Sequence, residues 1–309
     1  MKKVFIDGSA GTTGLRIRER LAARGDIELL ILSEELRKDP AARKEMLNQA
    51  DIAFLCLPDD AAREAVSMIE NPNTVVLDTS TAHRTDPNWC YGFPELSEER
   101  YQAVKEAKRI AVPGCHASGF IALVAPLVEA GALPKDALLT CHSITGYSGG
   151  GKKMIAQYEA EEQDPLYQAP RQYALGQAHK HLPEMKAIAG IENDPIFCPI
   201  VSDFYSGMAV TVPLFASQLN EGFDIEAIKE IYRKKYQGPM VFWSESPDAD
   251  GFYSAVAYGD SDKMEITVQG NAERILLLAR YNNLGKGASG AALECMNIVL
   301  GDAPDKNLE

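Results

Sequence analysis

Lys2-Lys3-Val4-Phe5-Ile6-Asp7-Gly8-Ser9-Ala10-Gly11-Thr12-Thr13-Gly14 opens the chain. Residues 2–6 read as a first strand, glycines spaced G-x-x-G-x-x-G follow it at once, and residues 15–23 carry a helical pattern. Between a strand and a helix, that spacing permits a tight turn, close approach of backbone to a pyrophosphate, and packing of helix on sheet. Gly8, Gly11 and Gly14, with Thr12 and Thr13 between them, are therefore candidates to hold a dinucleotide.

Working outward, the second strand covers residues 27–32. Its end meets the adenosine ribose in this kind of fold, where a carboxylate favours NAD and a small polar residue with a cation makes room for the 2′-phosphate of NADP. Ser33 comes first there and Arg37 and Lys38 lie just beyond, with Glu34 and Glu35 intervening. The expected cofactor is NADP, with Ser33 and Arg37 as contacts. The unbroken apolar runs 52–58 and 74–78 alternate with helical patterns, which indicates a parallel sheet covered on both faces. The loop Asp78-Thr79-Ser80-Thr81-Ala82-His83-Arg84 follows the fourth strand. Ligands bind at the carboxyl ends of parallel strands, so Ser80 and Arg84 are candidate substrate contacts.

Beyond residue 133 the pattern changes. Runs at 138–145, 206–215, 240–245, 264–270 and 274–282, with a helix at 225–235, read as a second, α+β domain with a more antiparallel sheet. A small-residue helix over 286–300 returns to the first domain. The expected division is 1–115 plus 285–309 for the Rossmann-type domain and 116–284 for the second.

Composition bounds the function. The chain has 309 residues, 46% hydrophobic and 24% charged, with a net charge of −13. That balance fits a globular protein of about two domains and argues against a general nucleic-acid binder. The three-residue apolar run at the start is too short for a signal peptide, and no apolar stretch approaches a membrane span. Six cysteines are scattered without a C-x-x-C pair, which suggests reduced thiols, a cytoplasmic setting and no metal site.

Val112-Pro113-Gly114-Cys115-His116-Ala117-Ser118-Gly119 then leads from a short strand into an apolar helix. A thiol at a helix N-terminus faces unpaired N–H groups that favour the thiolate, so Cys115 reads as a nucleophile. A proton carrier is needed, and Gly176-Gln177-Ala178-His179-Lys180-His181-Leu182-Pro183-Glu184 supplies His179, with Glu184 expected to fix its tautomer or orientation. His116 is the rival. Neighbours on a helix start point about 100° apart, which disfavours it as the group facing the same atom. His83 and His142 carry no further signal.

Taken together, residues 7–14, Pro113-Gly114-Cys115, Gly146-Tyr147-Ser148-Gly149-Gly150-Gly151-Lys152, His179 to Glu184 and Asn283-Leu284-Gly285-Lys286-Gly287-Ala288-Ser289-Gly290 resemble the N-acetyl-γ-glutamyl-phosphate reductases. These are a branch of the semialdehyde dehydrogenases, and the length resembles their shorter subtype. The resemblance implies a Rossmann NADP domain with an inserted catalytic and oligomerisation domain, a homo-oligomer (dimer or tetramer), and NADPH-dependent reduction of an acyl phosphate in arginine biosynthesis. It assigns Cys115 as nucleophile, His179 as acid/base, and Tyr173, His181 and Glu184 as supporting positions. Asn283, Ser148, Gly149 and the first glycine loop fall on cofactor positions, and Lys180 on a substrate position. Lys180 stands where the family usually has arginine, and Glu294 and Cys295 replace the usual amides. The alternatives are aspartate-semialdehyde dehydrogenase or another acyl-phosphate reductase, a Cys/His hydrolase, and a non-catalytic nucleotide-binding regulator.

Overall fold

The computed structural model describes residues 1–308 except 246, 247 and 249. The chain divides into two compact units, 1–114 with 288–308, and 115–287. Cys115, placed at the end of the first domain by the sequence, opens the second unit.

In the first unit, β1 (Lys2–Asp7), α1 (Thr12–Ala22), β2 (Ile27–Leu30), α2 (Pro40–Gln49), β3 (Ile52–Leu55), α3 (Asp59–Ser67), β4 (Val75–Asp78), β5 (Cys90–Tyr91), α4 (Glu98–Glu106) and β6 (Arg109–Ala111) follow in order. The strands form one parallel sheet in the order β2-β1-β3-β4-β6-β5. All four residues of β3 and of β4 are buried, as strands covered on both faces require. Asp39 caps α2 through Ala42 N–H, with Pro40 preset for the first turn, and Ser97 caps α4 through Arg100 N–H.

The second unit contains α5 (Cys115–Glu129), β7 (Thr140–Gly146), α6 (Gly151–Tyr158), β8 (Arg171–Gln172), α7 (Leu182–Ala189), β9 (Ile196–Ser202), β10 (Met208–Phe215), α8 (Ile225–Lys235), β11 (Val241–Trp243), β12 (Met264–Gly270) and β13 (Arg274–Tyr281). Its sheet runs β11-β12-β13-β10-β7-β9-β8. The expected antiparallel character is present in the pairs β10–β13 and β12–β13, but β7–β9 and β11–β12 are parallel, so the sheet is mixed. Helix α5 packs on β10 and β13 beside α7 and α8. Pro126 inside it has no N–H to give the Ala122 carbonyl, and Tyr236 Oη donates to that carbonyl instead at 2.6 Å.

The chain then returns to the first unit through α9 (Gly290–Leu300), which packs against α4 and β4. Arg24, nearly buried, donates to Asn297 of α9 at 2.6 Å and pairs with Asp26 and Asp302. Arg24 and Lys306 hold the Asp26 carboxyl well below the usual carboxylate range.

Candidate active site

At the nucleotide loop, Gly8 has φ +87°, and a Cβ there would lie 2.2 Å from the Cys56 carbonyl oxygen. A side chain on Gly14 would meet the Gly8 carbonyl at 2.5 Å. Only glycine fits either position, and the loop presents bare backbone as a result. Gly11 is the N-cap of α1 and supplies no side-chain cap, so the first N–H groups, including those of Thr12 and Thr13, face outward with the positive end of the helix.

Beside this loop lies a cavity of about 340 Å³ walled by Gly8, Ser9, Leu30 to Leu32, Arg18, Glu34, Arg37, Lys38 and Arg43. Arg43 is committed to buried Asp7 at 3.0 Å, and burial raises the Asp7 carboxyl in spite of that partner. Arg37 pairs with Glu34 at 2.8 Å. Ser33 is exposed, off the cavity wall, and its carbonyl takes the N–H of Leu36 and of Arg37. Arg18 and Lys38 line the cavity without a carboxylate in ion-pair reach among the described residues. The donor set of glycine cradle, open helix start and spare cations fits a phosphorylated dinucleotide, with Arg18 a cation that sequence reasoning missed.

The loop after β4 is tied inward. Ser80 Oγ donates to Asp78 at 2.7 Å, and Arg84 donates to the carbonyls of Val112 and Thr79. These contacts brace the strand ends. His83 has the partner that the sequence concealed: its Nδ1 lies 2.6 Å from Asp78 Oδ2, and its ring stacks on Trp89 at 4.1 Å.

In the second unit, Cys115 is the first residue of α5 and is half-buried. Tyr281, fully buried on β13, gives its proton to the Cys115 carbonyl and takes the Gly119 N–H at 2.9 Å. One hydroxyl thus grips both ends of the helical turn that Cys115 opens. Gly119 makes that possible, since a Cβ there would sit 2.7 Å from the Tyr281 oxygen. Nothing in the local sequence around Cys115 signals this residue, which arrives from 166 positions away.

Around Cys115 the histidines gather. His116 is buried, with Nδ1 2.7 Å from Ser143 Oγ and Nε2 2.6 Å from Tyr173 Oη. Its ring centroid lies 5.6 Å from that of His179 and 5.7 Å from that of His181. Burial, reinforced by His179, pushes the His116 pKa down to about 3, so this ring stays neutral. Burial first, then the charge on Cys115, raise the Tyr173 phenol, which stays protonated.

His179 is placed by its own turn. Ala174 and Gln177 both have φ of 52°, a left-handed conformation unusual for residues with side chains. The Gln177 amide exchanges two hydrogen bonds with the Phe197 backbone, at 2.8 and 2.9 Å, and so fastens the turn to β9. The backbone N–H of His181 donates to His179 Nδ1 at 3.1 Å, which places the proton of the neutral ring on Nε2. That N–H supplies the tautomer control expected of Glu184. Glu184, buried in the first turn of α7, faces His181 instead, with 4.0 Å between Oε1 and Nε2. The spacing explains the exchange: three residues apart at a helix start, His181 and Glu184 share a face. Lys180 between the two histidines is exposed.

Ser148 and Asn283 are brought together, Asn283 donating to Ser148 Oγ at 2.9 Å and accepting the Gly207 N–H. A Cβ on Gly149 would lie 3.4 Å from the Asn283 amide nitrogen. In the first unit, Cys295 of α9 packs on Gly92, its sulfur 3.5 Å from that carbonyl.

The semialdehyde dehydrogenase dimerisation-domain profile matches residues 115–283, and the NAD-binding-domain profile matches residues 32–104. The chain belongs to the semialdehyde dehydrogenase family. Within it, the chain is 47% identical to N-acetyl-gamma-glutamyl-phosphate reductase of Chelativorans sp. (strain BNC1), covering 96% of this chain and 98% of the relative. It is 44% identical to N-acetyl-gamma-glutamyl-phosphate reductase 2 of Pseudomonas putida, covering 96% of each. Among solved semialdehyde dehydrogenases, aspartate semialdehyde dehydrogenase II of Vibrio cholerae superposes with TM-score 0.71 at 16% identity, over 98% of this chain and 99% of that one. The Candida albicans aspartate semialdehyde dehydrogenase, solved with NADP, superposes with TM-score 0.69 at 16% identity, over 99% of each. Among the described residues no helix is long and apolar enough to cross a membrane.

Proposed function

We infer that this semialdehyde dehydrogenase reduces N-acetyl-L-glutamyl 5-phosphate to N-acetyl-L-glutamate 5-semialdehyde with NADPH, releasing phosphate, in arginine biosynthesis. The observation that carries the reading is the end-to-end likeness to reductases of that name, 47% identical over 96% of the chain. The aspartate-specific alternative rests on likenesses of 16% identity and is not favoured.

In the proposed chemistry the Cys115 thiolate attacks the C5 carbonyl, the C5–O bond to phosphate breaks, and a thioester forms on sulfur. The supporting geometry is the helix start under the thiol and the hydroxyl clamp of Tyr281. NADPH, when bound, supplies the hydride for the acyl carbon; Gly8 to Gly14 would hold its pyrophosphate, and Arg18, Lys38 and Arg37 would surround its 2′-phosphate. Ser148, Gly149 and Asn283 keep the cofactor role that the family resemblance implies. His179, with Nε2–H directed away from the backbone, donates that hydrogen bond to the oxyanion of the tetrahedral adduct and holds its charge until the carbonyl re-forms, the C–S bond breaks and the thiolate returns. Tyr173 holds neutral His116 in place behind it, and Glu184 orients His181. Ser80 and Arg84 are assigned to building the β4 loop, with any substrate contact made through it, and Lys180 to the exposed rim, where its charge attracts the phosphorylated substrate.

The family's dimerisation domain makes this an oligomer, and we assign the dimer contact to the sheet face opposite α5, α7 and α8. Ile144, Leu276 and Phe215 stand exposed there on three adjacent strands, an apolar patch of the kind that marks an interface. A cytoplasmic setting agrees with six cysteines of which none is joined in a disulfide among the described residues.

The deciding assay measures phosphate-dependent NADP⁺ reduction with N-acetyl-L-glutamate 5-semialdehyde and with L-aspartate 4-semialdehyde. Preference for the acetylated substrate is expected, and preference for the aspartate compound overturns the reading.

A further inference from the structure

Arg171 is a half-buried arginine with no carboxylate within ion-pair distance among the described residues. It is nonetheless held firmly. Its Nε and Nη2 donate to Tyr158 Oη at 3.2 and 2.8 Å, and its guanidinium carbon lies 4.1 Å from the Tyr167 ring centroid. Tyr158 stacks between Tyr167, at 5.0 Å, and Tyr147, at 4.7 Å. A neutral hydroxyl and aromatic faces orient a cation without neutralising it, which preserves its charge for something else.

The backbone places Arg171 on the strand that runs into the wall of the thiol site. Arg171 and Gln172 form β8, antiparallel to β9, and Tyr173 continues the extended run with its N–H on the Pro199 carbonyl. Residues two apart on a strand share a face, so Arg171 lies beside Tyr173, roughly 7 Å along the strand. Burial follows the alternation, with Arg171 and Tyr173 half-buried and Gln172 exposed. Tyr173 reaches His116 and feels the charge of Cys115. In the acyl substrate, four C–C bonds of roughly 1.5 Å separate the reacting C5 from the α-carboxylate, about 5 Å in an extended chain. A C5 held at Cys115 leaves that carboxylate about 5 Å away, on the side of the thiol site whose wall is built by the strand carrying Tyr173 and Arg171.

We propose that Arg171 binds the α-carboxylate of the acyl substrate and so selects amino-acid derivatives over uncharged acyl chains. This rests on the function proposed above and names the group that recognises the part of the substrate that does not react. The guanidinium fork takes a carboxylate through two parallel hydrogen bonds, and Tyr158 sets the plane of the fork.

The test runs the reaction in the oxidative direction, with NADP⁺ and phosphate, on N-acetyl-L-glutamate 5-semialdehyde and on 4-acetamidobutanal, which is the same molecule without the carboxylate. Wild type should favour the carboxylate-bearing aldehyde on the order of 100-fold in kcat/KM. Arg171→Met should bring the ratio to within about threefold, mainly through KM for the natural aldehyde, while leaving the analogue's rate within about threefold. Tyr158→Phe keeps the charge but frees the fork, and should give an intermediate ratio; it also decides the matter if Arg171→Met does not fold. An equal loss on both aldehydes, or an unchanged ratio in both variants, assigns Arg171 to bracing the tyrosine stack and overturns the proposal. Failure of wild type to oxidise the natural aldehyde at all overturns instead the function on which the proposal rests.

Discussion

The glycine loop and the pocket around Cys115 are assembled by opposite means. Gly8 to Gly14 are seven consecutive residues whose working groups are backbone N–H, so a strand, a tight turn and a helix start are enough to present them. The thiol pocket draws Cys115 and His116 from α5, Ser143 from β7, Tyr173 and His179 from the turn before α7, Phe197 from β9 and Tyr281 from β13. Local geometry suffices to present backbone N–H groups, whereas a thiol and the imidazoles beside it must be positioned by side chains that approach from several directions. Damage at the loop should therefore appear in cofactor binding, and damage in the pocket in turnover.

The largest separation between the two regions is expected for Cys115→Ser, which should lower turnover by roughly 10⁴-fold or more while leaving the NADPH dissociation constant, read by fluorescence titration, within a few-fold. Appreciable turnover by that variant removes the nucleophile assignment. His179→Asn should follow, lowering kcat by about 10² to 10⁴-fold, with the acyl-enzyme accumulating in intact-protein mass spectra. His116→Asn should cost about tenfold or less; if it is instead the crippled variant, the proton carrier is the wrong histidine.

Tyr281→Phe sharpens the comparison, because it touches no reacting atom. Loss of the hydroxyl that grips Cys115 and Gly119 should lower kcat by about tenfold through misplacement of the thiol, with NADPH affinity unchanged. A variant with normal kcat shows the clamp to be dispensable. From the other side, Arg18→Ala should weaken NADPH about tenfold and leave NADH unaffected, read by calorimetry with each cofactor. Equal weakening of both would place Arg18 away from the 2′-phosphate.

The smallest effect on activity near neutral pH belongs to the titration of His116. Its pKa falls from about 6.5 unfolded to about 3 in the folded protein. Between those values the unfolded chain holds a proton that the native one refuses, so the contribution to stability is complete above about pH 6.5 and is lost as pH falls toward 3. Thermal unfolding should therefore shift downward across that window, and His116→Gln should flatten the dependence. An identical slope in the variant would locate the acid sensitivity elsewhere.

Within the pocket, legibility tracked chain distance. His179 lies in a recognisable segment, but its tautomer partner is the neighbouring His181 N–H rather than Glu184, a choice made by the turn through Ala174 and Gln177. Strand β9 contains Pro199 and does not read as a central strand, yet that proline's carbonyl receives Tyr173 and helps to set the wall of the site. His83 carries no signal until the fold sets it against Asp78 and Trp89.

The sequence by itself determined the parallel sheet of the first unit, the glycine loop between β1 and α1 and the helix start at Cys115, because each depends on hydrophobic period, glycine spacing and proline position within a dozen residues. The same holds for the family, whose motifs are short and local. Only the tertiary structure decided that Arg37 is paired with Glu34 while Arg18 faces the cavity, that Tyr281 clamps the Cys115 turn, and that Arg171 is oriented by two tyrosines with no carboxylate beside it among the described residues. The physical reason is that the charge and direction of a side chain depend on what else is packed within a few ångströms, and at the Cys115 turn that neighbour comes from 166 residues away.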